Sequence, residues 1–212
     1  MNPRLLRILA IVDVVGIPLL IEWYIWKLQF TAPRSWIIFA IWLPVSFALH
    51  RDRFKSMGWR ADNLWPATKQ AIVAFGLMAA CLIVTGFVLH APWHIPAHLV
   101  SPRRLWSYFA FCLLQQVALN SFLNNRLMFL IRDRWLSSLL AGAIFAACHW
   151  PNPVLVPLTL IGGTVMAWLF ARQRNILPLA VGQAILGSLA WWSFPLGWHH
   201  HLRVGPGYYL PQ

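Results

Sequence analysis

The sequence predicts an all-helical bundle that crosses a membrane about seven times, and three observations support this. Hydrophobic residues make up 59% of the 212 residues and charged residues only 10%, which is too little charge to cover a soluble domain of this length. Several apolar segments approach the ~20 residues that a helix needs to cross the hydrocarbon core. Prolines and basic residues separate these segments. We therefore treat residues 1–212 as a single membrane domain.

The predicted spans follow from the positions of the apolar runs and of the residues that interrupt them. The connection after residue 90 contains Pro92, Pro96 and Pro102, so it cannot be a regular helix. We divide the chain into N-terminal spans at 1–103, a core at 104–196 and a C-terminal tail at 197–212. The predicted spans cover approximately residues 5–26, 35–49, 70–90, 105–123, 136–150, 154–171 and 176–196.

The net charge of +12 arises from 17 Lys and Arg residues against 5 Asp and Glu residues. Because the basic residues lie between apolar spans, they predict topology and contact with anionic membrane lipids, and no nucleic-acid partner is expected. The side with more basic residues is expected to be cytoplasmic, which predicts a multi-pass protein of a bacterial inner membrane with its N-terminus in the cytoplasm. The twelve basic residues on that side are Arg4, Arg7, Arg51, Arg53, Lys55, Arg60, Lys69, Arg126, Arg132, Arg134, Arg172 and Arg174.

Polar side chains interrupt three apolar segments of the core. Gln115 and Gln116 lie in the fourth predicted span, His149 in the fifth and Gln183 in the seventh. A polar side chain that faces lipid finds no hydrogen-bond partner, so such residues usually face the interior of a bundle. The sequence therefore predicts one shared polar pocket, with simple interhelical hydrogen bonding of the glutamines as the alternative.

Small residues recur every four positions in the last three spans, which predicts close packing between helices. The three stripes are Ser138, Gly142 and Ala146, then Gly163, Ala167 and Ala171, and finally Ala180, Ala184 and Ser188.

The core resembles the CPBP family of intramembrane CAAX proteases and bacteriocin-processing or self-immunity proteins, over about residues 104 to 190. Members of that family carry Glu-Glu-x-x-x-Arg, Phe-x-x-x-His and His-x-x-x-Asn on successive helices. Phe145 and His149 match the second motif, and Pro151-Asn152 and Gly162-Gly163 agree with its surroundings. At the other motif positions this chain has Gln115, Gln116, Asn120, Gln183 and Gly187.

The resemblance implies a scaffold for intramembrane peptide hydrolysis in which the general base is replaced. It places Gln115, Gln116, Asn120, His149 and Gln183 at the family's catalytic positions. An amide cannot accept a proton near neutral pH, and Gly187 has no side chain to offer. We therefore expect a relative of the CAAX endopeptidases with a degenerate active site, a pseudoenzyme by its motifs, with a membrane peptide or prenylated protein as its partner. The alternative is a non-catalytic protein that binds a peptide, prenyl chain or lipid in the same cavity.

Asp13 and Glu22 are the acids predicted within a span, so either could supply the missing carboxylate. Pairing with a neighbouring helix is the competing interpretation, because buried acids in membrane proteins usually have such a partner.

Two groups of histidines suggest a third possibility, an outward-facing metal-binding or transport protein. The candidates for Zn²⁺ or Cu²⁺ are His90, His94 and His98, followed by His199, His200 and His201. Prolines break the helix that would align the first three, so no cofactor is expected. Cys81, Cys112 and Cys148 lie in apolar runs and predict no disulfide framework.

Overall fold

The computed structural model describes residues 2–91, 96 and 99–211, and their regular secondary structure is entirely helical. The α-helices are α1 (Pro3–Trp23), α2 (Gln29–Thr31), α3 (Trp36–Leu49), α4 (Leu64–Val88), α5 (Pro102–Gln116), α6 (Asn125–Ile131), α7 (Arg134–Ala147), α8 (Leu155–Gln173), α9 (Leu177–Ser193) and α10 (Leu196–His199). Five residues of π-helix, Tyr24–Leu28, join α1 to α2, and eight more, Val117–Asn124, join α5 to α6.

Each of the seven predicted spans coincides with a helical segment, so the all-helical prediction is confirmed. Within the described part of the chain, α4 and α8 are the two helices that are both long and apolar enough to cross a membrane. The apolar segments at Pro33–Leu49 and Arg134–Ala147 are shorter. The number of crossings, seven, therefore stays a prediction.

One prediction about the end of the fourth predicted span is wrong. The fourth span is predicted to end near residue 123, with Arg126 in a basic turn after it, but α5, the π-helical segment and α6 form one helix that runs from Pro102 to Ile131. The chain reverses at Arg132, whose left-handed backbone ends the helix, and the Asp133 carboxylate caps α7 by accepting from Leu136 N at 2.7 Å. Arg126 consequently lies inside the bundle and is 2% exposed.

Arg126 is neutralised by two carboxylates. Its Nε lies 3.1 Å from Asp13 Oδ2 in α1, and its Nη1 lies 2.7 Å from Asp52 Oδ2 in the loop after α3. Asp13 also accepts from Trp42 Nε1 at 2.9 Å and from the Ser46 hydroxyl, both in α3. Because a buried charge needs this degree of pairing, the network fixes α1 and α3 against α6. Asp13 thus pairs with neighbouring helices, as the competing interpretation holds.

His50 lies beside this network, with Nε2 3.5 Å from Asp13 Oδ2. Burial and the neighbouring Arg126 guanidinium lower the pKa of His50 below its ordinary value, and the two aspartates oppose this effect only in part. His50 is therefore a neutral neighbour at neutral pH, and Arg126 is the cation that balances the aspartates.

The loop between α3 and α4 is fastened to the start of α6 and to the start of α9. Asn125 Nδ2 donates to Ser56 O at 2.9 Å, and Ile176 N donates to Gly58 O at 3.1 Å. Gly58 has a φ of +87°, and an added Cβ would lie 2.6 Å from the Phe170 ring. A residue with a side chain would be strained there and would also clash.

The predicted close packing of α7 on α8 is confirmed. A Cβ on Gly142 would lie 2.2 Å from Thr164 Oγ1, and one on Gly163 would lie 3.2 Å from Gly142 Cα. On α9 the tight contact involves Gly182, where a Cβ would meet the Phe75 ring of α4 at 2.0 Å. Glycine at these positions lets the helices approach at the level of the candidate site.

The other end of the bundle is held by the tail. Asn152 Nδ2 donates to His199 O at 2.8 Å and to Arg203 O at 2.9 Å, while its Oδ1 accepts from the first amides of α8. Gly205 N donates to Trp150 O at 2.9 Å. The tail is therefore an ordered part of the fold.

Candidate functional site

Four amide side chains from α5, the π-helical segment and α9 form one hydrogen-bonded chain. Asn120 Nδ2 donates to Gln116 Oε1 at 2.6 Å, and Gln116 Nε2 donates to Gln183 Oε1 at 2.6 Å. Gln183 Nε2 in turn donates to Gln115 Oε1. Gln116 and Asn120 are completely buried. The amides at the family-aligned positions therefore satisfy one another, which holds α9 against the long helix.

The hydrogen-bonded chain continues along the π-helical segment to Asn124. Its Nδ2 lies 3.4 Å from Asn120 Oδ1 and donates to Ala167 O in α8 at 2.8 Å. Gln116 Nε2 also lies 3.0 Å from Met166 Sδ in the same helix. Asn120 and Asn124 lie in the π-helical segment, a distortion that is common at functional sites. The amides thus connect three helices without using a charged group.

His149 lies in the turn that follows α7. Its Nδ1 is 2.6 Å from Phe145 O, and its ring packs edge-on against the Phe145 ring with centroids 4.6 Å apart. A carbonyl oxygen can only accept, so Nδ1 carries a proton and Nε2 of the neutral ring is an acceptor. This bond between the Phe and the His of the Phe-x-x-x-His pair fixes which nitrogen is left to bind a ligand.

His149 and Gln183 line one cavity of about 110 Å³ between α4, α5, α7, α8 and α9. Tyr108 and Thr159 are its other polar neighbours, and none of the described residues that line it is charged. The side chains that make up its apolar wall are Met78, Leu82, Phe145, Leu158, Met166 and Leu186. The cavity therefore brings His149 and Gln183 together, whereas Gln115 and Gln116 are not among its lining residues and contact it only through their hydrogen bonds to Gln183.

Tyr108 occupies the space in which an Asn side chain at position 187 would begin. A Cβ on Gly187 would lie 2.1 Å from the Tyr108 hydroxyl oxygen and 3.4 Å from Cζ. The hydroxyl is also hydrogen-bonded to Cys112, one turn along α5. The loss of the family's Asn is therefore accompanied by a hydroxyl group in nearly the same place.

The two acids of the first predicted span do not line the cavity. Asp13 is held by Arg126, and Glu22 accepts from Trp26 Nε1 at 3.1 Å and contacts the Cys148 thiol. Neither carboxylate is among the groups around His149 and Gln183. The hypothesis that one of them replaces the missing base is thus wrong for this cavity.

The histidine groups do not assemble into a metal site in the part of the chain that is described. No three His, Cys, Asp or Glu side chains among these residues are placed to hold an ion. His200 stacks on Tyr208 at 4.2 Å, and His199 and His201 pack against the Trp191 ring. His94 and His98 lie outside the described residues, so a metal site that includes them together with His90 stays a prediction.

Sequence reasoning missed two members of the site, Asn124 and Tyr108. Asn124 follows Gln116 and Asn120 at the same four-residue spacing, so helical periodicity could have revealed it. Tyr108 precedes Gln115 by seven residues, which is two turns of the same helix face. The contact between Tyr108 and Gly187 joins α5 to α9, and the sequence of neither helix alone indicates it.

Comparison with known families supports the resemblance over the core. Residues 105–188 match the family described as type II CAAX prenyl endopeptidase Rce1-like, which is less than half of the chain. The matched segment contains every amide of the hydrogen-bonded chain, as well as His149 and Gly187. No curated relative and no solved structure matches the chain.

The contact between Tyr108 and Gly187 can be tested by making one substitution at Gly187 in two backgrounds. Gly187→Ala should lower the free energy of unfolding by about 1–3 kcal/mol, because the new methyl group overlaps the Tyr108 hydroxyl. In a Tyr108→Phe background most of this loss should disappear, since Cζ lies at an ordinary distance. Thermal unfolding in detergent measures both.

Gly76→Ala is the matched control, because nothing lies within 4 Å of a Cβ at that position on α4. An equal loss for Gly187→Ala in both backgrounds would show that Tyr108 does not fill this space.

Proposed function

Because residues 105–188 match the Rce1-like CAAX endopeptidase family, we propose that this membrane protein is a CPBP-type relative that binds an apolar chain in the former active-site cavity and does not hydrolyse it. The hydrogen-bonded chain of amides carries the proposal. It stands where the family has its acids, and each amide of the chain is already engaged with another.

The missing activity follows from the chemistry of the amide. Activation of water requires a group that accepts its proton, and a general base typically contributes ~10²–10⁴ in rate. Gln115 and Gln116 cannot accept that proton, and none of the described residues around the cavity has a carboxylate. Gln183 retains N–H groups that could stabilise an oxyanion, but it has no Asn partner because residue 187 is glycine.

Binding is supported by the character of the cavity. Its wall is mostly aliphatic and aromatic, with His149, Tyr108 and Gln183 as a few convergent polar groups. This is the usual composition of a small-ligand site. A prenyl chain, a lipid chain or an apolar side chain of a membrane peptide fits that composition, so the partners are membrane lipids and membrane-embedded peptides or prenylated proteins.

A reconstituted protein tests the proposal. Offered prenylated and unprenylated membrane peptides in lipid nanodiscs, it should retain the prenylated peptide and release no cleavage product in mass spectrometry. Retention should fall at least about tenfold in Gly162→Leu, because leucine fills a cavity that Gly162 lines. Gly76→Leu, which adds the same side chain at an exposed position of α4, should bind normally.

His149 is the group that could overturn this assignment, since a neutral imidazole can act as a base. Cleavage by the natural sequence that disappears in His149→Ala would contradict the pseudoenzyme assignment and identify an altered catalytic set. Equal background signal from the natural protein and from His149→Ala, with the peptide still retained, would agree with the pseudoenzyme assignment.

We further propose that the chain crosses the membrane seven times with its N-terminus in the cytoplasm. Two sets of contacts support this. The loop after α3 meets residues 121–126 and 173–176, whereas the tail meets residues 150–152 at another end of the bundle. Because Arg126 is buried, one of the twelve basic residues assigned to the cytoplasmic side no longer faces it. The remaining residues still outnumber the five basic residues of the opposite side.

Reporter fusions test the orientation. Fusions after Arg60 and Arg132 should report a cytoplasmic location, and a fusion after His200 should report an external one. An external signal from the Arg132 fusion would reverse the assignment for the core.

A further inference from the structure

We propose that the end of the bundle where α8 ends and α7 and α9 begin binds a phosphate group, that of an anionic membrane lipid, with Arg174 as its principal ligand. This site is separate from the cavity, and it stands whether or not the cavity binds a peptide. Three observations carry the proposal: a guanidinium group with one open edge, unbalanced positive charge around it, and exposed tryptophans at the same end.

The Arg174 side chain is held from one side only. Its Nη1 lies 3.3 Å from Ser56 O and 3.2 Å from Asn125 Oδ1, so both N–H groups of Nη1 have an acceptor. Among the described residues nothing accepts from Nε or Nη2, and neither nitrogen is enclosed by the protein. The open edge therefore presents two parallel N–H groups, a geometry that matches two oxygens of one phosphate group.

The segments that carry Arg174 are fixed without a ligand. Asn175 Nδ2 donates to Arg60 O at 2.8 Å and to Asn63 Oδ1 at 3.0 Å, while Asn175 Oδ1 accepts from Leu177 N at 3.2 Å. These bonds join the loop before α4 to the turn between α8 and α9. The open edge of Arg174 is thus presented by a rigid turn, which lowers the entropy cost of binding an anion there.

Arg134 lies at the same end of the bundle. The contact of Gly142 with Thr164 sets the register of α7 against α8. Because the two helices run in opposite directions, Arg134, eight residues before Gly142, lies level with the end of α8. Arg134 is exposed, and its side chain has no carboxylate partner in the part of the chain that the structure describes. A second free guanidinium group is therefore close to Arg174.

The neighbouring carboxylates are already engaged with other cations. Asp52 Oδ2 lies 2.7 Å from Arg126 Nη1, and Asp62 accepts two hydrogen bonds from Arg60, at 3.0 and 2.7 Å. Arg174 is consequently left without a carboxylate of its own among the described residues.

The crowding of like charges acts on Arg174 itself. Burial lowers the pKa of its guanidinium, Asp52 opposes this effect, and Arg134 and Arg60 lower the pKa further. An arginine stays protonated at neutral pH despite such shifts, so the repulsion between the guanidinium groups persists. A bound anion would relieve it.

Exposed tryptophans place this end of the bundle at the level of the lipid headgroups. Trp59 precedes Arg60 and is 36% exposed, and Trp135 follows Arg134 and is 59% exposed. Indole rings are enriched at both membrane–water interfaces, and basic pockets between helix ends bind anionic headgroups there. A lipid phosphate is therefore favoured over a soluble phosphate or an acidic protein segment.

Four compounds test the proposal: dioctanoyl phosphatidate, dioctanoyl phosphatidylcholine with the same acyl chains, inorganic phosphate and hexaglutamate. Each is added to the protein in a neutral detergent, and binding is measured from the concentration dependence of Tm. We expect saturable binding of phosphatidate, at least about tenfold tighter than that of phosphatidylcholine, whose ammonium group is repelled by the arginines. Inorganic phosphate and hexaglutamate should bind more weakly than phosphatidate.

Three variants localise the binding. Arg134→Gln should weaken phosphatidate about fivefold, the effect expected for one charge near the membrane surface. Arg174→Lys keeps the charge but loses the paired N–H groups, and should weaken it about three- to tenfold. Arg103→Gln makes the same charge change at the far end of the long helix and should bind normally. Because the Arg134 side chain bonds to no described residue, Arg134→Gln remains informative even if Arg174→Lys fails to fold.

Each contrary outcome has a distinct meaning. Equal affinity for phosphatidate and phosphatidylcholine, or an equal loss in Arg103→Gln and Arg134→Gln, overturns the proposal, because acyl chains or diffuse charge would then explain the binding. Inorganic phosphate that binds as tightly as phosphatidate overturns the lipid as the source of the phosphate. Hexaglutamate that binds most tightly overturns the proposal in favour of an acidic protein segment.

Discussion

The structure depends on one constraint, that a polar side chain withdrawn from water must find its partner inside the bundle. Gln116 meets this constraint by bonding to Gln183 and Asn120, and Asn124 meets it by donating to the backbone of α8. These bonds set how α9 and α8 lie against the long helix. The cavity between these helices, with His149 at its wall, is a consequence of that arrangement.

A second polar network uses charge where the first uses amides. Asp13, Arg126 and Asp52 fix α1, α6 and the loop after α3 to one another. Because Asp13 is committed to Arg126, it is not available as a base at the cavity. The separation has a chemical consequence: the charged groups of the bundle hold helices together, and the cavity is left neutral.

The sequence predicted the helical class, the segments and the polar residues that meet, since each has a periodic or compositional signal. Gln183 was noticed as a polar residue in an apolar span, but only the family resemblance placed it at a catalytic position. The burial of Arg126 could not be predicted, because eight π-helical residues carry the helix past an apparent basic turn. Tyr108 was missed because its role depends on its contact with Gly187. The sequence of neither segment alone indicates a contact with the other.

The amide chain is the central claim, and a double-mutant cycle on Gln116→Leu and Gln183→Leu tests it most directly. Leucine is close to glutamine in size and removes the hydrogen bond. Unfolding free energies in detergent should give a coupling of ~0.6–2 kcal/mol, with the double variant less destabilised than the sum of the two single variants. Asn63→Leu combined with Gln183→Leu is the control pair and should be additive, because Asn63 bonds to Asn175 and the backbone of Gln173. Additive losses for Gln116 and Gln183 would contradict the account, since the two side chains would then not depend on each other.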